Sequence, residues 1–396
     1  MKYILFRLKR FCGFIAGFVF FIAGILKLLD PVGTGLIMKE YFDFLHIGFM
    51  SFIAKFSGVA FALLETIIGT ALITGVWRKL TAIAALVFQG AFTALTLALL
   101  IFNPEMDCGC FGEAIHLTHL QTFIKNIILM LMLVAFAFPI KHLGWPRKRK
   151  YVAFSVVTTS VIAFTAYSWV SIPLVEFTEF RPAASLQAGN AFQSEEDEDM
   201  FEAIFVYEKE GRKEEFTLEN LPDSTWTFIE TRSSVKNEGE LSSVNLSFYN
   251  KDGEYCDTLA TTGKVMVVSV YDTGIKASAW KKVAAFMATA QDAGFKTLLL
   301  VSSPSTLAAE AGIPEDLTFV SDYKTLITMN RSNGGVTYFS DGYLISKWSA
   351  RNVPDTDSLA EIFSGDETET IIEKSTNGSL AFQGFMLYVF AIMLLL

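Results

Sequence analysis

The sequence predicts a bundle of transmembrane helices joined to a separate, water-soluble α/β domain. Hydrophobic residues make up 52% of the 396 residues, and the mean hydropathy is +0.41, which is more than soluble cores need. The apolar residues are also concentrated in stretches near the roughly 20 residues that cross a bilayer as a helix. The predicted spans are 11–29, 56–77, 80–103, 121–140, 151–173 and 379–396.

The two terminal stretches need separate treatment. The first follows a basic N-terminal cluster, as a signal peptide does, but no A-x-A-like cleavage site comes after it, so we predict a membrane helix. The last is short, and the sequence allows a full span, a partial insertion or a truncated helix. The predicted domains are a helical bundle at 1–173 with a core at 11–140 and a fifth helix at 151–173, an acidic linker at 174–200, an outer domain at 201–378 and a final helix at 379–396.

Basic residues predict the orientation, because Lys and Arg are retained on the cytoplasmic side of short loops. The only basic residues in the outer loops 30–55 and 104–120 are Lys39 and Lys55. We therefore expect the N-terminus inside, and both 104–120 and 174–378 outside. The basic residues on the predicted inner side are Lys2, Arg7, Lys9, Arg10, Arg78, Lys79, Lys141, Arg147, Lys148, Arg149 and Lys150.

Segment 174–378 differs chemically from the rest of the chain. It holds 34 acidic and 17 basic residues, a net charge of −17, whereas the remainder has a net charge of +8. This acidic balance argues against nucleic-acid binding, which needs a basic surface. Residues 182–200 are small, polar and strongly charged, which is typical of a linker. The expected partners are the lipid bilayer and an extracytoplasmic protein, with no nucleic acid.

The outer domain shows two successive patterns. Short alternating runs on either side of Gly211, and another before 250–253, predict hairpins. The later part predicts a βαβ unit closed by a β-hairpin, which is the element order of a thioredoxin-like fold. The predicted elements are strand Val265–Tyr271, helix 277–293, strand Thr297–Ser302, helices at 305–311 and near 322–329, strand Val336–Phe339 and strand Tyr343–Trp348.

Segment 331–342 resembles the thioredoxin segment that leads from a cis-proline into the last hairpin, with Gly334 in the place of the proline. The resemblance implies a dithiol in the loop after the first strand, but 272–278 contains no cysteine. A domain that lacks both the nucleophile and the substrate-binding proline is expected to bind or dock a partner rather than perform redox chemistry.

The four cysteines indicate where redox chemistry could remain. Cys12 is most simply a small apolar packing residue, and Cys256 an isolated thiol. Cys108 and Cys110 lie in a predicted outer loop, where a cysteine pair tends to be a disulfide or a redox couple. The single residue between them makes the ring small, and a strained disulfide is more oxidising. We expect a thiol–disulfide couple; a structural disulfide or a reduced pair remains open.

A metal site is the other interpretation of this loop. Cys108, Cys110, His116 and His119 form the pattern C-x-C-x5-H-x2-H, and His46 in the neighbouring outer loop is a further candidate ligand. The C-x-C spacing is tighter than that of structural zinc sites, and histidines at a helix start are commonly interfacial. Either histidine would also supply the positive charge that a thiolate beside Asp107 otherwise lacks.

The membrane half resembles the methylamine utilisation protein E (MauE) and DoxX-like membrane proteins, which are four-helix bundles of bacterial inner membranes. The resemblance covers about residues 11–140. It implies a role in disulfide formation in an extracytoplasmic partner, with Cys108 and Cys110 as the reactive pair, and places the present chain in a bacterial inner membrane with its soluble domain in the periplasm. The matching residues are the run Ala23–Pro31, Glu65, Gly69, the run Asp107–Gly112, Leu117–His119 and Lys125–Asn126.

Glu65 is an ionisable residue near the middle of a predicted membrane helix, where it costs several kcal/mol unless it is paired or hydrated. One interpretation is a proton-handling or quinone-linked site, with Lys27 as its partner in cofactor binding. The other is a structural hydrogen bond to Lys27 or to Gln89. The sequence favours neither and does not identify a cofactor.

Two function classes follow. One is a membrane component of extracytoplasmic thiol–disulfide exchange that acts through Cys108 and Cys110. The other is a non-catalytic membrane scaffold or transport-like component whose outer domain recruits a partner, with a structural or metal-binding cysteine loop. The behaviour of the cysteine pair distinguishes them.

Overall fold

The computed structural model describes residues 2–104, 106–138, 147–187, 201–209, 212–216, 226–235 and 243–395. The chain divides into two compact units. The helical unit comprises Met1–Thr178, Ile327–Thr337 and Ser346–Leu396. The sheet unit comprises Glu179–Leu326 and Tyr338–Ile345.

The first half of the helical unit contains six α-helices and one short strand among its described residues. Apolar stretches form these helices because a helix satisfies its own backbone hydrogen bonds where water is absent. A 3₁₀ segment, Gly48–Ile53, precedes α3. The elements are α1 (Lys2–Leu29), α2 (Pro31–Phe44), α3 (Ala54–Thr74), α4 (Arg78–Phe102), β1 (Cys110–Glu113), α5 (His119–Ala137) and α6 (Lys148–Val170).

The α1–α2 junction corrects one prediction, since 30–55 was expected to be a loop. Asp30 caps α2 by accepting hydrogen bonds from the backbone N–H groups of Val32 (3.2 Å) and Gly33 (2.9 Å). Pro31 occupies the first turn, where its missing N–H and fixed φ are favourable. Only Asp30 therefore separates the end of α1 from the start of a second helix. Hydropathy did not indicate this helix because charged residues interrupt its apolar positions.

α1 and α3 pack with their backbones close together. A Cβ added at Gly69 would lie 2.5 Å from the backbone nitrogen of Phe21, and one added at Gly17 would lie 2.9 Å from the carbonyl oxygen of Gly69. One added at Gly24 would lie 2.8 Å from the carbonyl oxygen of Ala62. Small residues at such crossings let membrane helices approach and gain van der Waals contact. This contact brings Lys27 of α1 close to α3.

The sheet unit contains a mixed eight-stranded sheet in the order β6-β2-β12-β11-β8-β9-β10-β7 and a three-stranded sheet in the order β4-β3-β5. β8, β9 and β10 are parallel neighbours. α9, β11 and β12 extend into both units. The elements are β2 (Ser185–Gln187), β3 (Phe201–Lys209), β4 (Arg212–Phe216), β5 (Thr227–Val235), β6 (Ser243–Asn245), β7 (Phe248–Tyr249), β8 (Lys264–Val270), α7 (Ala277–Asp292), β9 (Lys296–Val301), α8 (Thr306–Glu310), β10 (Thr318–Ser321), α9 (Tyr323–Met329), β11 (Gly335–Ser340) and β12 (Tyr343–Trp348).

Most of these elements agree with the sequence expectations. β3 and β4 form the antiparallel hairpin expected around Gly211, a residue that itself lies outside the described set. The predicted strands and helices between β8 and β12 begin and end within two residues of their predicted bounds. β10 was not predicted, because its four residues are too few for a clear alternation. The predicted linker is described only up to Gln187, and 188–200 lie outside the described residues.

The chain ends with α10 (Thr356–Ser364) and α11 (Glu367–Leu395). α11 starts twelve residues before the predicted span 379–396, so the polar residues that precede the apolar run are helical as well. Its apolar end packs in the helical unit, where Val389 and Met393 are buried. Phe390 contacts Phe21 with ring centroids 5.3 Å apart.

Six helices are long and apolar enough to cross a membrane, by length and composition. Large apolar side chains on their outer faces, such as Val87, Ile101 and Leu131, are exposed. Exposed apolar surface of this extent indicates a lipid environment. Each of the six predicted spans coincides with one of these helices over most of its length, and residues 139–140 of the fourth span lie outside the described residues. The spans are Arg7–Leu29, Gly48–Thr74, Arg78–Phe102, His119–Ala137, Lys148–Val170 and Glu367–Leu395.

Candidate functional site

Cys108 and Cys110 lie in the connection between α4 and α5, which we call the cysteine loop (103–118). Cys108 is 3% exposed and Cys110 is 6% exposed, and both thiols are free. Gly109 between them has φ +56°, a left-handed conformation that favours glycine. This reversal lets both cysteines pack in one apolar cluster with Tyr41 and Leu99.

Tyr41 of α2 holds the backbone of the cysteine loop through a hydrogen bond. Its hydroxyl donates a 2.5 Å hydrogen bond to the carbonyl oxygen of Cys108. Burial raises the pKa of the Tyr41 phenol, and the nearby cysteines raise it further, so the hydroxyl remains a donor. α2, the helix that the sequence did not predict, thus positions the cysteine backbone.

His119 at the start of α5 contacts the Cys108 sulfur. The distance from Cys108 Sγ to His119 Nδ1 is 3.0 Å, and His119 Nε2 lies 3.1 Å from the carbonyl oxygen of Pro104. A carbonyl oxygen only accepts, so Nε2 holds the ring proton and Nδ1 of the neutral ring accepts from the thiol. A thiol, a base and a group that orients the base are the arrangement of an activated nucleophile.

The position of His119 is set by the local sequence. Thr118 caps α5 by accepting from the backbone N–H of Gln121 (3.2 Å), and Gln121 accepts in return from the backbone N–H of Thr118 (3.0 Å). This reciprocal capping box fixes the start of the helix. As the first helical residue, His119 is therefore held beside the loop.

The Cys108 thiol resists ionisation on its own. Burial raises the pKa of the Cys108 thiol. A side-chain hydrogen bond with Thr122 and the charge of Lys125 oppose this rise, whereas Cys110 and Asp107 add to it. A folded-state pKa above that of the unfolded chain favours the neutral thiol; the associated stability is present below the unfolded pKa and is lost as pH rises through the folded pKa. At neutral pH the nucleophilic thiolate therefore depends on a base to accept the proton.

Cys110 borders a small cavity in the helical bundle that is lined by both polar and apolar side chains. The cavity volume is about 20 Å³, which is room for about one water molecule. Lys125, which also lines it, has its Nζ 4.7 Å from the centroid of the Phe111 ring. Side chains of α1, α3, α4 and α5 complete the lining: Lys27, Glu65, Gln89, Asn126 and their apolar neighbours.

Lys27 and Glu65 form a buried ion pair beside this cavity. The distance from Lys27 Nζ to Glu65 Oε2 is 2.6 Å, and both side chains are about nine-tenths buried. The Lys27 side chain, near the end of α1, therefore points into the helical bundle. Gln89, the alternative partner, instead donates to the carbonyl oxygen of Asn126 at 3.1 Å.

His116 and His119, the two histidines considered as metal ligands, contact different residues. His116 Nδ1 lies 3.1 Å from Asp107 Oδ2, an exposed pair, whereas His119 contacts Cys108. In the part of the chain that the structure describes, no three His, Cys, Asp or Glu side chains form a group that could hold a metal ion. In this geometry His119 contacts the Cys108 thiol and His116 contacts Asp107.

Two family models match the chain, one in the helical unit and one in the sheet unit. Residues 3–139 match the family model described as Methylamine utilisation protein MauE. This match contains α1–α5 and the cysteine loop, and with the six apolar helices it indicates a multi-pass membrane protein. Residues 201–238 match a domain of unknown function, DUF8463, which corresponds to the three-stranded sheet. No curated protein and no solved structure matches the chain.

Sequence reasoning missed several residues that position this site. Tyr41 lies in the unpredicted α2, and the Pro104 carbonyl is a backbone group without a sequence signal. Arg331 forms ion pairs with Asp30 and Glu113, although it is more than 200 residues away from both in the sequence. Only the Asp30-Pro31 pair, an evident helix start, could have indicated α2 in advance.

Proposed function

We propose that this protein is a membrane component of thiol–disulfide exchange with an extracytoplasmic protein partner, and that Cys108 and Cys110 are its redox couple. The observation that supports the proposal is the contact of Cys108 with His119, whose other nitrogen is bound to the Pro104 carbonyl. A merely structural thiol does not require an oriented base. The MauE match over residues 3–139 includes this loop and supports a redox-associated role.

The exchange proceeds in two balanced steps. His119 accepts the Cys108 proton, and the thiolate attacks a disulfide of the partner; a mixed disulfide forms and one partner thiolate leaves. Cys110 then attacks the Cys108 sulfur, so the Cys108–Cys110 disulfide forms and the second partner thiolate leaves. Two protons pass to the partner's thiolates. The reverse sequence oxidises a partner dithiol, and His119 then returns the proton to Cys108.

Both sulfurs are covered in the structure, so exchange requires the cysteine loop to move. The reduced pair is enclosed by Tyr41, Leu99 and neighbouring apolar side chains. Local opening of a loop is a low-energy event compared with global unfolding. The partner therefore reacts with an opened form of the loop.

Trapping experiments test the proposal directly. In full-length protein with Cys12→Ser and Cys256→Ser, Cys110→Ala is expected to accumulate a mixed disulfide with its partner, because no second thiol resolves it. Cys108→Ala is expected to capture much less, since Cys108 is the thiol that lies 3.0 Å from His119 Nδ1. The adducts are measured by non-reducing electrophoresis and mass spectrometry. Equal capture by both variants, or by neither, would favour the scaffold with a structural cysteine pair.

We propose further that the sheet unit docks the partner through a thioredoxin-like arrangement. The strands β12-β11-β8-β9 are neighbours in this order, and α7 connects the parallel strands β8 and β9. The loop after β8 contains no cysteine, which leaves Cys256 without a dithiol partner in 201–378. The Cys256→Ser background should accordingly retain exchange; loss of exchange on this replacement alone would contradict a docking role.

The basic residues support an orientation with the N-terminus in the cytoplasm of a bacterial cell and the cysteine loop in the periplasm. In a background without Cys12 and Cys256, His116→Cys is expected to react with an impermeant maleimide on intact cells, because His116 is exposed. Lys148→Cys, at the exposed start of α6, is expected to react only after the cells are lysed. Labelling of Lys148→Cys on intact cells would reverse the proposed orientation.

A further inference from the structure

Arg331 is a buried cation that joins two parts of the helical unit to each other. Its side chain is 3% exposed. Its Nε lies 2.9 Å from Asp30 Oδ2, and its NH2 nitrogen lies 3.3 Å from Glu113 Oε1. NH1 donates to the carbonyl oxygen of Ile327 at 3.2 Å. Each of the three guanidinium nitrogens thus lies near a different acceptor, an arrangement that the point charge of a lysine does not reproduce.

The two carboxylates are those that hold the cysteines in place. Glu113 ends β1, the strand that begins at Cys110. Asp30 caps α2, the helix whose Tyr41 binds the Cys108 carbonyl. An ion pair at Glu113 therefore acts on Cys110 through three residues of strand, and an ion pair at Asp30 acts on the Cys108 backbone through α2.

The turn that presents Arg331 is itself well ordered by hydrogen bonds. Asn330 is fully buried and its amide nitrogen donates to the carbonyl oxygens of Val336 (3.0 Å) and Trp348 (3.3 Å). Its amide oxygen accepts from the backbone N–H of Ser332 at 3.0 Å. A side chain on such a support loses little conformational freedom on making its ion pairs.

We propose that Arg331 is a positioning residue for the Cys108–Cys110 pair: it holds the cysteine loop closed through Glu113 and Asp30. The inference rests on the proposed exchange function. Arg331 touches neither sulfur. It keeps both thiols covered and close together, so that attack by Cys110 on the Cys108 mixed disulfide outpaces a second intermolecular reaction.

The experiment compares Arg331→Gln with the parent protein, both full-length and carrying Cys12→Ser and Cys256→Ser, reduced and held in lipid nanodiscs. We expect alkylation of the loop thiols by N-ethylmaleimide to become about tenfold faster, because the loop opens more often. Once the mixed disulfide of Cys108 with 2-hydroxyethyl disulfide has formed, its resolution by Cys110 is expected to slow by about the same factor, because the two cysteines are held together for less of the time. General destabilisation would not change the two rates in opposite directions.

Three further variants are matched to this one. Glu113→Gln should act in the same direction, and the double variant Arg331→Gln/Glu113→Gln should be no worse than Arg331→Gln, because both remove one interaction. Arg331→Lys keeps the positive charge but not the planar guanidinium group, so both of its rates should lie between those of the parent and of Arg331→Gln. Lys347→Gln removes a different buried ion pair, with Glu176 at 3.1 Å, and should leave both rates near those of the parent.

Two results would overturn the role of Arg331: unchanged rates in Arg331→Gln, or the same pair of changes in Lys347→Gln. If Arg331→Gln fails to fold, the comparison of Glu113→Gln with Lys347→Gln decides in the same way. Failure of the proposed exchange function would look different. The parent would then form no Cys108–Cys110 disulfide at all, while the alkylation rates would still show whether Arg331 holds the loop.

Discussion

Replacing His119 with Gln is expected to lower the rate at which Cys108 reacts with a small neutral disulfide about 100-fold at neutral pH, the usual contribution of a positioned general base. The reason is the 3.0 Å contact between Cys108 Sγ and His119 Nδ1. Gln has a similar reach but does not accept a proton. The measurement uses 2-hydroxyethyl disulfide and full-length protein with Cys12→Ser, Cys256→Ser and Cys110→Ala, so that Cys108 is the reacting thiol.

The deficit of His119→Gln should become smaller as pH rises. Burial raises the pKa of Cys108, so little thiolate exists at neutral pH without a base. As pH approaches that raised pKa, the thiolate forms unaided and the two proteins should converge. The same shift predicts that stability decreases at alkaline pH, because the unfolded thiol ionises at a lower pH than the folded one.

His116→Gln is the matched control for this prediction. His116 lies three residues away and pairs with Asp107 rather than with the thiol, so its replacement should leave the rate near that of the parent. A similar loss in both histidine variants would remove the special role of His119. A deficit that is constant with pH would indicate a structural effect instead of base catalysis.

The second large effect is expected for Lys27→Met. The substitution leaves the buried Glu65 carboxylate without the ammonium group that lies 2.6 Å from it. Breaking a buried ion pair by removal of one partner costs about 3–5 kcal/mol, and the apolar surroundings of a membrane helix give no compensating solvation. The free energy of unfolding in detergent micelles measures the loss. Lys27→Met/Glu65→Leu should recover most of it, because no unpaired charge remains.

The double variant also distinguishes the two interpretations of Glu65. A structural pair predicts that Lys27→Met/Glu65→Leu folds and retains thiol–disulfide exchange. A proton-handling pair predicts that it folds but exchanges more slowly, because the cavity beside Cys110 has lost both of its charged residues from α1 and α3. An additive loss of stability in the double variant would show that Lys27 and Glu65 do not depend on each other.

Much of the fold follows from local sequence. A helix that crosses a bilayer needs about 20 apolar residues in succession, and this requirement makes the spans visible in hydropathy alone. The β8-α7-β9 order also follows from alternating and amphipathic patterns over neighbouring residues. α2 was missed because its start depends on a cap at Asp30 and its apolar positions are interrupted, and the early start of α11 because its first turns are polar.

The sequence by itself determined the membrane helices, the strand order along the chain and the cysteine pair as the place of possible redox chemistry. Only the tertiary structure decided that His119 and not His116 meets the thiol, that Lys27 pairs with Glu65, and that Arg331 pairs with Asp30 and Glu113. The physical reason is range. Hydropathy and helix capping act between residues close in sequence, whereas a contact of 3.0 Å between Cys108 and His119 depends on how the whole connection folds back on α5.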